Sequence, residues 1–225
     1  MRNFKNLLII MVALLPLSSA FGFVGFGLNF GQNKLGVSSF SPITVATLSF
    51  TRGGFDNANG YGGYFYIDAI PFIDLDAEFQ VSKSEYKLKF SDTVSGKGID
   101  GDFAWGGAST YLTARKKLFG IGVPFLANAK LHYGVGFNKH VVTPMTDLDT
   151  VKGLVSSGSG SLNDRLKDYL TDNKIDVSGF HVQAGLKAKL LMGEVDLFYR
   201  YVIAEDIVPD SDGFGSLNLR LGVAF

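Results

Sequence analysis

Apolar and polar positions alternate with a period of two over most of the chain, the signature of strands with one greasy and one polar face. At 23–31, Val24, Phe26, Leu28 and Phe30 oppose Gly25, Gly27 and Asn29. At 72–82, Ile73, Leu75, Ala77, Phe79 and Val81 oppose Asp74, Asp76, Glu78 and Gln80. At 125–138 an apolar row from Phe125 to Phe137 opposes Asn128, Lys130, His132 and Asn138. At 178–190, Phe180, Val182, Ala184, Leu186, Ala188 and Leu190 oppose His181, Gln183, Lys187 and Lys189. At 194–203, Val195, Leu197, Tyr199, Tyr201 and Ile203 oppose Glu194, Asp196 and Arg200. At 216–225, Leu217, Leu219, Leu221, Val223 and Phe225 oppose Ser216, Asn218, Arg220 and Gly222. Two weaker strands lie at 63–70 and 103–117, the second with a phase blurred at Gly106 and Gly107, where a bulge is expected. That makes eight strands, and 43–51 could add to them toward ten.

Between these strands, tight connections at 70–72, 119–122 and 192–193 alternate with long ones at 32–62, 83–102, 139–177 and 204–215. Strict alternation of short and long connections is the pattern of an up-and-down membrane barrel, with short periplasmic turns and longer outer loops. The reading is therefore all-β: a transmembrane antiparallel barrel, eight strands with ten as the alternative. Its apolar face would point outward to hydrocarbon and its terminal strand, 216–225, would close against the first, because no backbone group can stay unpaired in lipid.

The start of the chain changes the picture next. Arg2 and Lys5, an apolar run from Leu7 to Leu17, and Ser18 and Ala20 have the layout of a secretory signal peptide, 1–20, leaving a barrel domain at 21–225. The full chain has 21 basic and 21 acidic residues. This balance speaks against nucleic acid as a partner. No cysteine is present, which excludes disulfides, thiolate chemistry and a lipid-modified cysteine.

The terminal LNLRLGVAF, with Leu217, Leu219, Leu221 and Val223 at alternate positions before Phe225, resembles the carboxy-terminal assembly signal of Gram-negative outer-membrane proteins. The chain after Ala20 resembles small barrels of the OmpX/OmpA kind. The resemblance implies a bacterial outer-membrane location. It also implies partners in outer-membrane lipid, lipopolysaccharide and the barrel-assembly machinery. An extracellular partner or a small solute is weighed beside them.

With the polar face turned inward, Asp68, Asp74, Asp76, Glu78, Glu194 and Asp196 meet Arg115, Lys130, Lys187, Lys189, Arg200 and Arg220, joined by His132 and His181. Six acids against six bases in so narrow a lumen read as a salt-bridge plug, since isolated buried charges cost several kcal/mol each. A narrow conducting path is the alternative. His132 and His181 could pair across neighbouring strands, yet a metal or catalytic site would need a third ligand, and none is evident. His140 and Ser156 to Ser161 share a loop without a spacing that links them. Ser161 and Asp164 form a capping box ahead of Leu162, Leu166, Tyr169 and Leu170, a helical face that would pack on the barrel mouth or serve as a lid. The segment 210–213 resembles part of a calcium loop but lacks its distal glutamate, and reads as a turn.

No cofactor, metal or catalytic residue is expected. The functional expectation is a non-enzymatic membrane anchor for surface loops, acting in envelope integrity or adhesion. The alternatives are a narrow channel or transporter for a small or hydrophobic solute, gated by 139–177, and, behind it, a lipid-modifying enzyme using His132, His140 or His181.

Overall fold

The computed structural model describes residues 24–70, 73–123, 127–156 and 160–225. The expected signal peptide 1–20, Pro71 and Phe72 of an expected tight connection, and Phe125 lie outside these. Ten strands and two helices follow in order: β1 (Val24–Val37), β2 (Phe40–Val45), β3 (Leu48–Arg52), β4 (Phe55–Ile70), β5 (Ile73–Asp92), β6 (Gly98–Val123), β7 (Ala127–Val142), α1 (Leu148–Ser156), α2 (Leu162–Asp172), β8 (Ile175–Leu190), β9 (Gly193–Ile203) and β10 (Gly213–Ala224).

Eight of the strands close a ring, β5-β4-β1-β10-β9-β8-β7-β6 and back to β5, every neighbour antiparallel. Partners traced from Asp74 run through Arg115, Gly134, Gln183, Arg200, Ser216 and Asn33 to Ala58, beside the Asn59–Lys83 pair. The ring thus closes with a stagger of about ten residues, the tilt that lets eight strands enclose a side-chain-filled interior. The first and last described strands meet at the seam. Phe225 N–H donates to the Val24 carbonyl at 2.9 Å, Val24 N–H returns to Phe225 at 3.2 Å, and the rings of Phe26 and Phe225 stack.

The outward rows are greasy on every ring strand. Phe26, Leu28, Phe65, Leu75, Phe79, Leu112, Leu131, Val135, Phe137, Phe180, Val182, Leu186, Leu197, Tyr199, Leu219 and Leu221 are all exposed. A surface so continuous is stable against hydrocarbon and not against water. Among the described residues no helix is long and apolar enough to cross a membrane; the strands do the crossing.

Two strands outside the ring, β2 and β3, are the hairpin hinted at by 43–51. They add to the upper part of β5, with Leu48 opposite Asp92 and Arg52 opposite Leu88. The connection 83–102 is not a long loop. Strand β5 runs on to Asp92 and β6 begins at Gly98, so 93–97 alone make the turn. There the Ser95 hydroxyl and the Val94 amide hold the Asp92 carboxyl below its usual range. At the other end, 119–122 is strand rather than turn, because Ile121 pairs with Ala129 and Val123 with Ala127.

The expected bulge also moves. Pairing through Gly106 and Gly107 is regular, and the irregularity falls between Lys117 and Phe119. The sequence phase blurs at Gly106 for a different reason: the inward row of β6 changes character. It is apolar at Ile99, Phe103 and Trp105, and polar from Ser109 to Arg115, all of it buried.

That apolar upper interior belongs to an extracellular cap. The outer parts of β5 and β6, extended by β3 and β2, form a short sheet whose inner face carries Phe50, Leu88, Phe90, Ile99 and Phe103. Helices α1 and α2 lay Val151, Leu162, Leu166 and Leu170 against it, and Leu35, Val142, Val202, Ile207 and Phe214 join from the barrel rim. Helix α2 falls where its apolar spacing put it, but Ser161 makes no side-chain cap. Polar ties complete the attachment: Arg52 Nη1 donates to the Thr146 carbonyl at 3.1 Å, and Lys97 Nζ to Val155 at 2.8 Å.

Candidate functional site

Below the cap, every ring strand sends polar side chains inward. They sit on one parity of each strand: Asn29 and Asn33 on β1; Tyr64 and Tyr66 on β4; Asp76, Glu78, Gln80 and Ser82 on β5; Thr113 and Arg115 on β6. The others are His132, Asn138 and His140 on β7; His181, Gln183 and Lys187 on β8; Glu194, Asp196 and Arg200 on β9; and Ser216, Asn218 and Arg220 on β10. All are buried.

The carboxylates collect donors. Glu78 accepts both Nη atoms of Arg200, at 3.0 and 2.9 Å, Asn29 Nδ2 at 2.7 Å, and Arg220 Nη2. Asp76 accepts both Nη atoms of Arg220 and forms an ion pair with Arg115, whose Nη2 stands 3.3 Å away. Asp196 accepts Arg115 Nη1 at 3.1 Å and lies 2.8 Å from His132 Nε2. Glu194 takes the hydroxyls of Tyr64 and Tyr66 and sits 2.8 Å from Lys187 Nζ. Guanidinium faces lie on rings, with Arg200 3.8 Å from the Tyr111 centroid and Arg220 between Tyr64 and Phe198. Lys187 Nζ stands 3.5 Å from the ring of Tyr66. Planar cations sandwiched by rings and paired in the plane lose their water without losing their contacts. Four buried acids thus meet four buried bases across the lumen.

The tyrosines need room that glycine supplies. A Cβ at Gly25 would fall 2.2 Å from the Tyr66 ring, and one at Gly222 would fall 2.3 Å from the Tyr64 hydroxyl. Above the ion pairs lies a neutral layer in which Ser216 donates to Asn33 at 2.7 Å, Asn33 to Ser82 at 2.9 Å and Asn218 to Ser216 at 2.9 Å.

Of the residues singled out by sequence, ten lie within this buried set: Asp76, Glu78, Arg115, His132, His181, Lys187, Glu194, Asp196, Arg200 and Arg220. Asp68, Asp74, Lys130 and Lys189 lie lower, half-buried at the periplasmic mouth, where Lys130 bridges Asp74 at 2.8 Å and Asp68 at 3.4 Å. His132 and His181 do not pair: the first faces Asp196, and the second lies 2.9 Å from the Thr113 hydroxyl. His140 is inside the barrel rather than at its rim. Its Nδ1 lies 2.8 Å from Ser109 Oγ and its Nε2 3.0 Å from Asn138 Oδ1, with Tyr111 and Phe214 edge-on to its ring.

Among the described residues no cluster of histidine and acidic side chains could hold a metal ion. Tyr64 and Tyr66 were not legible as lumen residues, because GYFYIDAI puts aromatics on both faces; Asp68, on their parity, was the available signal, and Tyr111 fell in the strand whose phase is blurred at Gly106 and Gly107. Ser211 Oγ donates to the Gly213 carbonyl at 2.7 Å, and 210–212 lead directly into β10 at Gly213.

Neither protein-family models nor curated protein sequences match the chain. Solved structures do. The outer membrane protein OprG of Pseudomonas aeruginosa aligns with a TM-score of 0.50 at 11% identity, over 91% of this chain and 96% of that one. The N-terminal β-barrel domain of OprF from the same organism gives 0.46 at 14% identity, over 90% and 97%. Ail, the attachment invasion locus protein of Yersinia pestis, gives 0.42 at 13% identity, over 91% and 99%. From its closed ring, its greasy belt and the likeness to OprG, the chain has the fold of a small eight-stranded outer-membrane β-barrel.

Proposed function

We propose that the protein is a non-enzymatic, non-conducting outer-membrane barrel that anchors an extracellular cap serving envelope integrity or adhesion. The observation that carries this reading is the filled lumen. Arg115, Arg200 and Arg220 cross it, each almost fully buried and each held by carboxylates from other strands. An ion passing through would have to part charges whose separation in a desolvated space costs several kcal/mol. The cap adds a second seal, because α2 buries Leu166 completely over the mouth. Histidines engaged with Asp196, Thr113, Ser109 and Asn138 support a structural role for each over lipid chemistry.

Planar-bilayer recording tests this and the gated-channel alternative together. The full chain is expected to give no large, stable single-channel currents. Deletion of 156–173 is expected to leave that baseline unchanged, since the ion pairs lie beneath the cap. Large currents from the full chain would overturn the closed lumen, and currents appearing only after the deletion would establish the gate.

A further inference from the structure

The periplasmic end of β6 is built differently from its neighbours. Strand β5 accompanies β6 only as far as Asp74 opposite Arg115, whereas β7 stays paired with β6 down to Val123 opposite Ala127. Along 116–123, therefore, no described strand pairs with the second edge of β6. An open edge presents a row of backbone donors and acceptors that another extended chain can complete. Natural barrels close such edges; this one starts where Lys116 and Phe119 pair with Tyr133 and Leu131 and runs to Val123 at the end of the strand.

Beside that edge lies a cavity of about 450 Å³. It is bounded by the backbone of Gly120 to Val123 and by Lys117, Lys130, Lys187 and Lys189, with Asp68 the one lining carboxylate. Asp74 and Glu194 lie just behind and take Lys130 and Lys187. Four ammonium groups against three carboxylates leave one positive charge in excess, concentrated where the open edge begins. Gly120 and Gly122, both inward after the irregularity at Leu118, leave room for the Lys117 side chain, whose Cε lies 2.6 Å from where a Cβ at Gly120 would fall.

We propose that the periplasmic mouth binds an extended peptide that adds as a strand to the 116–123 edge of β6 and places one carboxylate among Lys117, Lys130 and Lys189. Backbone pairing supplies the affinity and the carboxylate the orientation, the division of labour in strand addition. A chain-terminal carboxylate and an acidic side chain present the same chemistry to these lysines. The site lies below the ion pairs, so it stands whether or not the lumen conducts.

The test uses the full chain in nanodiscs and a fluorescein-labelled hexapeptide of alternating threonine and valine ending in glutamate with a free carboxyl terminus. Fluorescence anisotropy should rise saturably. Affinity should fall about tenfold for Lys117→Glu, an exposed side chain whose reversal leaves heat-modifiable gel migration intact. It should fall likewise for a peptide whose terminus is amidated or whose glutamate is glutamine, and the version that loses affinity identifies the carboxylate. Hydrogen exchange should show backbone amides within 119–123 gaining protection on binding. The proposal is overturned if no saturable rise occurs up to about 1 mM, an affinity ceiling of about 4 kcal/mol. It is also overturned if Lys117→Glu and both neutral peptides bind equally well, or if protection appears elsewhere. Should Lys117→Glu fail to fold, Lys117→Gln takes its place with the same expected direction.

Discussion

Glu78 is the residue on which the lumen turns. It accepts from Arg200, Arg220 and Asn29, which come from β9, β10 and β1, so one carboxylate ties four strands across the barrel. Glu78→Gln keeps shape and hydrogen-bonding oxygen but strands two guanidinium groups in a desolvated space. It is expected to destabilise the folded barrel by about 3 kcal/mol, read as a lower urea midpoint for the loss of heat-modifiable migration. An unchanged midpoint would mean that the arginines are neutralised by Asp76 and Asp196 alone. The inward charges were legible because charge on one parity of a strand is visible in sequence. Their partners were not: Arg220 meets a residue 142 positions away, and nothing local in LNLRLGVAF names it. The tyrosines stayed hidden for another reason. A tyrosine is at home in a belt or a lumen, and its hydroxyl decides only once Glu194 is beside it.

At the scale of elements, period-two alternation located the ring strands and the spacing of Leu162, Leu166 and Leu170 located α2. Boundaries failed where the solvent changes. Above the membrane, β5 and β6 continue with charged outward residues such as Lys87, Lys89 and Asp100 and apolar inward ones, the reverse of the pattern within the belt. A reading that required greasy residues outside saw 83–102 as loop. Helix α1 escaped notice because LDTVKGLVS buries Val151 alone among its residues. The cap behaves as a small core of its own, and Leu166→Ala is expected to cost it about 2–5 kcal/mol. Limited proteolysis should then cut within 148–172 while the ring strands remain resistant; equal resistance of variant and parent would show that α2 does not depend on this contact.

For the whole molecule, two surfaces with opposite chemistry share one sheet. Outside, side chains from Phe26 to Leu221 face hydrocarbon; inside, balanced ions and amides face one another, and the cap closes the outer end with an apolar core. The topology came from connection lengths and faces, whereas the two-strand extension and the periplasmic edge of β6 that no described strand pairs follow from register, which single-sequence patterns do not encode. The chain's lack of cysteine permits a direct measurement of which face meets lipid. Single cysteines introduced in turn from 131 to 138 on β7, spin-labelled in nanodiscs, would be scanned for collision with oxygen, which concentrates in hydrocarbon, and with a water-soluble nickel chelate. Oxygen accessibility should peak at 131, 133, 135 and 137 and fall at 132, 134, 136 and 138, with nickel low throughout. Nickel maxima at 131, 133, 135 and 137 would put the greasy face in water and contradict the membrane barrel.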